Sequence, residues 1–449
     1  MHIGAEPRLQ ARYELLVMAH LSSADRLAAG LRLPPSLTTS WALTQGAWRF
    51  YANKQVPLDQ LIVPLRQAVR QTLASCPEPY LPVALDWCNL HYQDHAHKDD
   101  RIPLANEQDQ GYELLTALAI HPTDGRPLAP LALELRAADG VHTTCASTVQ
   151  PATSVLDDLA PLMAHMEGLK LPLQMVFILD READSVGHYR AWDAARYSFL
   201  VRADPERVVL GPTLAEQRLD EVAATLRQRR QLRWAGPLEV AGQRATLHVG
   251  ATHVVLHRPA RQQRVREGVK RHVEVPGVPL SLRLIVSEVR DVRGKVLACW
   301  YLLTNVAESV SAAVIARWYA WRWLIESYHK LLKGAGQQVE SWLQKTPAAL
   351  AKRLLVAAMA ATVVWQLARD QTPPAAELRQ ILIRLSGRQI KRGPQHRAFT
   401  EPALLAGLGV LMPVLLLLET HSLAELQDLV RHVLPSLPYT PRQPQRESG

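Results

Sequence analysis

The chain has 449 residues, enough for two or three domains and a sizeable core. Its 48% hydrophobic content excludes a disordered protein, and a net charge of +9 with a pI of about 9.5 favours a polyanionic partner without identifying one. The scattered Cys76, Cys88, Cys145 and Cys299 show no CxxC or Cys/His ligand spacing, so zinc is not expected and a reduced, cytoplasmic compartment is.

The start, MHIGAEPRLQARYELL, carries no signal-peptide pattern. Residues 1–75 read as a helical region, with candidate helices Arg8–His20, Ser22–Leu31, Leu43–Ala52 and Leu58–Ala74, the last broken near Pro64. Arg26, Arg32, Arg66 and Arg70 make it moderately basic. Taken alone, it reads as a small helical bundle packed on the core.

From Leu81 the texture changes. Leu81–Trp87 is a short apolar strand with Asp86 near its end. Tyr112–Ile120 and Leu128–Arg136 form a hairpin around Asp124-Gly125. Pro151–Leu171 reads as a helix, Gln174–Asp180 as an apolar strand ending in a carboxylate, Asp184–Arg196 as a helix and Tyr197–Arg202 as a strand. The order is therefore strand, hairpin, helix, strand, helix, strand.

Residues of about 205–296 intervene. A short helix near Leu214–Gln228 leads into alternating segments at Gln231–Val240, Gln243–Val249, His253–Val265, His272–Val275 and Leu280–Val289. Arg227, Arg229, Arg230, Arg233, Arg258, Arg261, Arg264, Arg266, Lys270 and Arg271 crowd this strand-rich insertion. It is either a solvated basic sheet or a surface for DNA phosphates. Val296–Thr304 returns as a buried strand. Residues 346–435 are helical again, over Thr346–Arg369, Pro374–Ser386, Glu401–Glu419 and Ser422–Val433, and residues 436–449 form a disordered tail. The apolar runs Leu354–Ala368 and Leu404–Leu418 are short for a bilayer, so both read as buried helices and no membrane is expected.

Between these regions, Arg317–Lys333 reads RWYAWRWLIESYHKLLK, an uninterrupted helix by composition. At about 100° per residue, Tyr319, Arg322, Glu326 and Lys333 share an arc of about 60°, flanked by His329 and Lys330. Ala320, Trp321, Leu324, Ile325, Tyr328, Leu331 and Leu332 form the apolar back. Such a helix on its own would simply turn a charged side to water.

The spacing Tyr-x2-Arg-x3-Glu-x6-Lys, with Trp323 between Arg and Glu and KGAGQQVE following, resembles the signature of bacterial DDE transposases of the insertion-sequence-four, transposon-five-like family. Thr44–Ile62 is similar to the family's N-terminal DNA-binding module, and the family carries a β insertion where this chain does. The resemblance spans about Thr44 to Glu340 and implies an α/β, ribonuclease-H-like core over residues 76–345. The helical regions flank it, the C-terminal one being a possible dimerisation region.

Phosphodiester cleavage needs an activated oxygen nucleophile and a stabilised leaving oxygen, which two Mg²⁺ or Mn²⁺ ions about 3.5–4 Å apart can supply through carboxylate ligands. Asp86, Asp180 and Glu326 are the candidate catalytic and metal-binding residues. Asp180 opens the family's Asp-Arg-Glu-Ala-Asp motif, in which Glu182 and Asp184 read as supporting residues, whereas Trp87 stands where the family often has a threonine. By resemblance, Tyr319, Arg322, Lys330 and Lys333 position DNA phosphates, Trp300 stacks on a flipped base, and Arg202 contacts DNA. The expectation is a cut-and-paste transposase acting on inverted-repeat ends and target DNA, through a hairpin and as a homodimer. The alternatives are a non-enzymatic DNA-binding descendant acting as repressor and a structure-selective nuclease of the same fold.

Overall fold

The computed structural model describes residues 1–22, 37–240, 243–266, 269–334, 336–387 and 399–433. The expected helix Ser22–Leu31 and the tail therefore lie outside the described residues, apart from Ser22. Four helices come first: α1 (Pro7–Ser22), α2 (Leu37–Ala52), α3 (Leu58–Leu61) and α4 (Val63–Leu73). Pro64 sits in the first turn of α4, where its missing N–H leaves no bond unmade, and the expected break falls at Ile62. Arg66 is half-buried and Arg70 exposed, and both are spent on backbone carbonyls. Arg66 donates to the carbonyls of Leu131 and Thr144, and Arg70 to that of Leu169.

The central segment follows as β1 (Tyr80–His91), β2 (Ile102–Pro103), β3 (Gln110–Ile120), β4 (Pro127–Ala137), β5 (Gly140–Thr143), α5 (Leu159–Glu167), β6 (Gln174–Leu179), α6 (Val186–Ala194) and β7 (Ser198–Arg202). The helix expected over Pro151–Leu171 begins only at Leu159. Ser154 bonds the Asp157 side chain, while Thr153 and Arg136 hold Asp158. Short polar side chains in such turns compete with helical bonding.

The insertion holds β8 (Val208–Leu210), β9 (Glu216–Arg218), α7 (Leu219–Gln228), β10 (Arg233–Val240), β11 (Gln243–Leu256), β12 (Ala260–Arg266), β13 (Val269–Val275) and β14 (Leu280–Asp291), and β15 (Val296–Thr304) closes it. The segments read separately as Gln243–Val249 and His253–Val265 fall differently, since one strand runs unbroken to Leu256. The chain ends in α8 (Ala312–Trp321), α9 (Leu324–Leu332), α10 (Pro347–Arg369), α11 (Pro373–Ser386), α12 (Glu401–Leu418) and α13 (Leu423–Val433).

The fold is mixed α/β. One thirteen-stranded sheet runs β5-β4-β3-β1-β6-β7-β15-β14-β11-β8-β9, with β10 on β11 and β2 on β3, while β12 and β13 form their own hairpin. The insertion thus extends the central sheet through β15 and β14. β1, β6 and β7 run parallel, and β3, β4 and β15 are antiparallel to their neighbours. β6 is buried on both faces, which is why QMVFIL reads as unbroken apolar sequence. Phe177 and Leu179 face the cluster built around α10, and Val176 and Ile178 face the one under α8.

α10 is buried almost all round, consistent with the reading of Leu354–Ala368 as a core helix. α12 differs from that reading. Its first half packs into the core, but beyond Met412 the residues Val414 and Leu415–Leu418 are exposed. Both helices are long and apolar enough to cross a membrane, and only 28% of the α12 window is buried. The expectation that both runs are buried therefore holds for one of them.

Within the sheet, Glu134 of β4 is buried and accepts a hydrogen bond from the Thr143 hydroxyl of β5 at 2.8 Å. Burial pushes its carboxyl up to about 7. A carboxyl that holds its proton longer in the folded state stabilises below its unfolded value and loses that contribution as pH rises through the folded one. Between pH 5 and 8 the wild type should lose roughly 2–3 kcal/mol relative to Glu134→Gln. Urea titrations across that range check it, and parallel curves for the two proteins would contradict it.

Candidate functional site

Strand register brings the first two carboxylates together. β1 and β6 pair in parallel up to Ala84 opposite Ile178, and two further steps put Asp86 beside Asp180. β6 and β7 pair up to Leu179 opposite Val201, so the next step puts Asp180 beside Arg202. Arg202 in turn faces Leu302 of β15. Residues level in adjacent strands share a face of the sheet. Asp86, Asp180 and Arg202 therefore stand in one row, on the face carrying Ile178, Leu200 and α8. β1 runs five residues past Asp86, longer than its apolar core predicts. β6 ends at Leu179, however, so Asp86 still marks the point where its parallel neighbour stops.

The signature segment is not one helix. Arg322 and Trp323 form a tight turn between α8 and α9, with three-residue bonds from Arg322 N to Tyr319 O (3.1 Å) and Ile325 N to Arg322 O (3.0 Å). The reason is tertiary. Ile315, Ala316, Trp318 and Tyr319 pack into one core cluster, and Ile325, Tyr328, Leu331 and Leu332 into the other. A straight helix could not bury both stripes. The Asp124-Gly125 hairpin turn packs on this joint. Gly125 has φ +70°, and a Cβ there would lie 2.2 Å from the Trp321 ring.

The break turns Arg322 inward, where it is only 9% exposed. Its guanidinium lies 3.3 Å from Asp86 Oδ2 and 3.6 Å from Glu326 Oε1, linking a strand carboxylate to a helix carboxylate. Burial opposes its charge, but Asp86, with Asp180 and Glu326, outweighs that and strengthens its hold on the proton. Asp86 is pushed up to about 6, chiefly by burial, with Arg322 opposing and Asp180 and Glu326 adding repulsion. Burial likewise raises Glu326, against Arg322 and Lys330, with Asp180 adding to the rise. The three carboxylates feel one another.

Tyr319 was expected on a solvent-facing arc but is buried. The Arg202 charge lies close enough to favour its ionised form, and its ring meets Trp300 edge-on at 5.2 Å. Trp323 is 58% exposed, with Lys330 Nζ 5.5 Å from its ring centre. Lys333 is engaged by the protein itself. It ends α9 with non-helical backbone (ψ −141°) and bonds Asn89 O at 2.5 Å and Glu340 at 3.2 Å.

Asp184 is structural, accepting from Tyr189 and Asp204 N and pairing with Arg207. Glu182 is exposed, and its N–H caps the Asp180 side chain at 2.9 Å. Sequence reasoning gave no role to His329 or Glu340. His329 is buried beside Lys333 and Arg322, and burial pushes its imidazole down to about 3. In the insertion, Arg227 pairs with buried Glu288 and Arg258 with Glu216, so neither is a free phosphate contact. Arg229, Arg230 and Arg233 are exposed. The side chains of Arg261, Arg264, Arg266, Lys270 and Arg271 lie outside the described residues.

The donor set suits Mg²⁺ or Mn²⁺, since three carboxylates offer hard oxygen ligands. As the side chains stand, no group of three His, Cys, Asp or Glu among the described residues is set to hold an ion. The guanidinium of Arg322, whose buried Nη1 makes no well-formed hydrogen bond, supplies the positive charge between Asp86 and Glu326.

No protein-family model matches the sequence, and no curated protein matches it. Among solved structures, a piggyBac transposase synaptic complex with hairpin DNA is similar at 10% identity and a TM-score of 0.34. The match covers 96% of this chain and 77% of that chain, a likeness too slight to establish a shared fold.

Proposed function

We propose that this protein is a DDE transposase. It binds the inverted-repeat ends of a transposon, cleaves them and joins them to target DNA in a bacterial cytoplasm, through a hairpin intermediate. One observation carries the reading: Asp86 and Asp180 stand level on adjacent parallel strands, and Arg322 ties Asp86 to Glu326. The strand order β4-β3-β1-β6-β7, with three strands parallel, supports a ribonuclease-H-like core. Two Mg²⁺ or Mn²⁺ ions, when bound by Asp86, Asp180 and Glu326, would activate the attacking oxygen and stabilise the leaving one. Arg322, Arg202 and Lys330 are the cations proposed to hold phosphates, with Tyr319 beside Arg202. Trp300 is proposed to receive an unstacked base. The exposed leucines of α12 and α13 support a second copy of the chain as partner, because an apolar surface of that extent is normally covered.

The experiment is to incubate the protein and Mg²⁺ with the terminal repeats flanking its gene and to resolve the products. Nicked, hairpinned and joined ends are expected, and intact DNA in both Mg²⁺ and Mn²⁺ overturns the proposal. A second reading, a DNA-binding descendant without catalysis, is favoured by one feature, Arg322 in the place a metal would take. It predicts binding to the ends with no cleavage in Mn²⁺. The enzymatic reading predicts instead that Arg322→Gln raises Mn²⁺ affinity about tenfold without DNA, by removing a competing charge. Calorimetric titration measures it, and unchanged affinity argues against the competition.

A further inference from the structure

We propose that Lys333 is a positioning residue, which braces β1 against the end of α9 and so sets the separation of Asp86 from Glu326. The proposal rests on the transposase reading and departs from the role the resemblance gives this lysine. An ammonium has three N–H donors. Here two partners engage it, the Asn89 carbonyl at 2.5 Å and the Glu340 carboxylate at 3.2 Å. Glu340 Oε1 also accepts from His91 N at 3.1 Å, and the Tyr92 hydroxyl donates to Val339 O at 2.5 Å. The last part of β1 and the residue after it are therefore tied, at Asn89, His91 and Tyr92, to the end of α9 and the segment that leaves it.

Lys333 is the residue at which α9 ends. A phosphate could gain this lysine only by taking it from Asn89 O and Glu340. The side chain is about three-quarters buried, and Glu340 about two-thirds. Holding ligands in place through such contacts is worth about 10–100-fold in metal affinity.

The two roles for Lys333 give opposite results in Lys333→Met and Glu340→Gln. The brace predicts that Lys333→Met weakens Mn²⁺ binding about tenfold, although a positive charge beside a cation site has been removed. It predicts unchanged affinity for end DNA and an unchanged salt dependence, with kcat for cleavage falling and KM holding. Glu340→Gln, which can still accept from His91 N, should fall in the same direction, and the double variant should add little to Lys333→Met. A phosphate ligand predicts that Lys333→Met makes the slope of log K against log[salt] shallower by about 0.9 while Mn²⁺ binds as well or better. It also predicts that Glu340→Gln, which frees the lysine, tightens DNA binding. That second pattern overturns the brace and leaves the transposase reading standing. A wild-type protein that neither binds Mn²⁺ nor cleaves ends overturns both. Should Lys333→Met fail to fold, Glu340→Gln alone decides between the two signs.

Discussion

Asp180→Asn and Glu326→Gln should each lower Mg²⁺-dependent cleavage of end DNA by roughly 10³-fold or more, about 4 kcal/mol of transition-state stabilisation. Binding to the ends should hold within a few-fold. Asp180 is half-buried at the end of β6, and its Oδ1 accepts from Glu182 N at 2.9 Å. Asparagine keeps that cap through its amide oxygen, so the loss reports charge and not local structure. Alanine would add the loss of the cap, about 1 kcal/mol. Glu326 lies in the first turn of α9, where a carboxylate is favoured by the helix dipole, and it shares Arg322 with Asp86. Removing either negative charge also lessens repulsion of the DNA backbone, so DNA affinity should stay level or rise slightly. Native gel shifts at fixed salt and a single-turnover cleavage assay separate the two effects. Wild-type rates in either variant would remove the basis for the proposed chemistry, and loss of binding with cleavage would point to misfolding instead.

The pattern of apolar runs placed most strands and helices, because period and burial agree where an element is covered on one face or on both. β6 and α10 are the plain cases, being apolar throughout and buried throughout. What it could not place was the partner of each face. The signature segment shows why. RWYAWRWLIESYHKLLK has no residue that forbids a helix, and its break at Arg322 and Trp323 comes from two stripes packing into two different clusters. That is a property of the assembled fold.

The carboxylates were legible for a related reason. Asp86 and Asp180 each follow the apolar stretch over which β1 and β6 pair, so an apolar run closed by an acid marked both, although β1 pairs with β3 as far as His91. Arg322 was legible as a residue but not as a bridge between Asp86 and Glu326, since an ideal helix turns it toward solvent. Lys333 departed furthest, because its ammonium is taken up by Asn89 O and Glu340, partners that only the fold brings to it. The insertion read as basic by count. Glu288 and Glu216 each hold arginines that a count cannot distinguish from free ones.

Arg353→Ala should cost about 3–5 kcal/mol, the second largest effect expected. Arg353 is fully buried in α10, donates to Gln344 Oε1 at 3.0 Å and lies 4.1 Å from the centre of the Trp342 ring. Trp342 donates from its indole to Gln337 O at 2.9 Å. Gln337 meets His20 of α1 twice, at 2.6 Å through the ring and at 3.1 Å through the carbonyl. Burial, with Arg353 adding, pushes His20 down to about 3, so it is a neutral partner at ordinary pH. One guanidinium thus helps hold α1, α10 and residues 337–344, the stretch that also carries Glu340. Alanine leaves a cavity and an unpaired Gln344 oxygen. Methionine fills most of the volume without the charge, and replacing a buried charge by an apolar side chain is often nearly neutral. Arg353→Met should therefore cost clearly less than Arg353→Ala in urea unfolding, with m unchanged. The two variants should differ in function as well. If residues 337–344 carry the brace on β1, Arg353→Met should lose cleavage and Mn²⁺ affinity even where its unfolding midpoint stays near wild type. A methionine variant as active as wild type would assign Arg353 to stability alone.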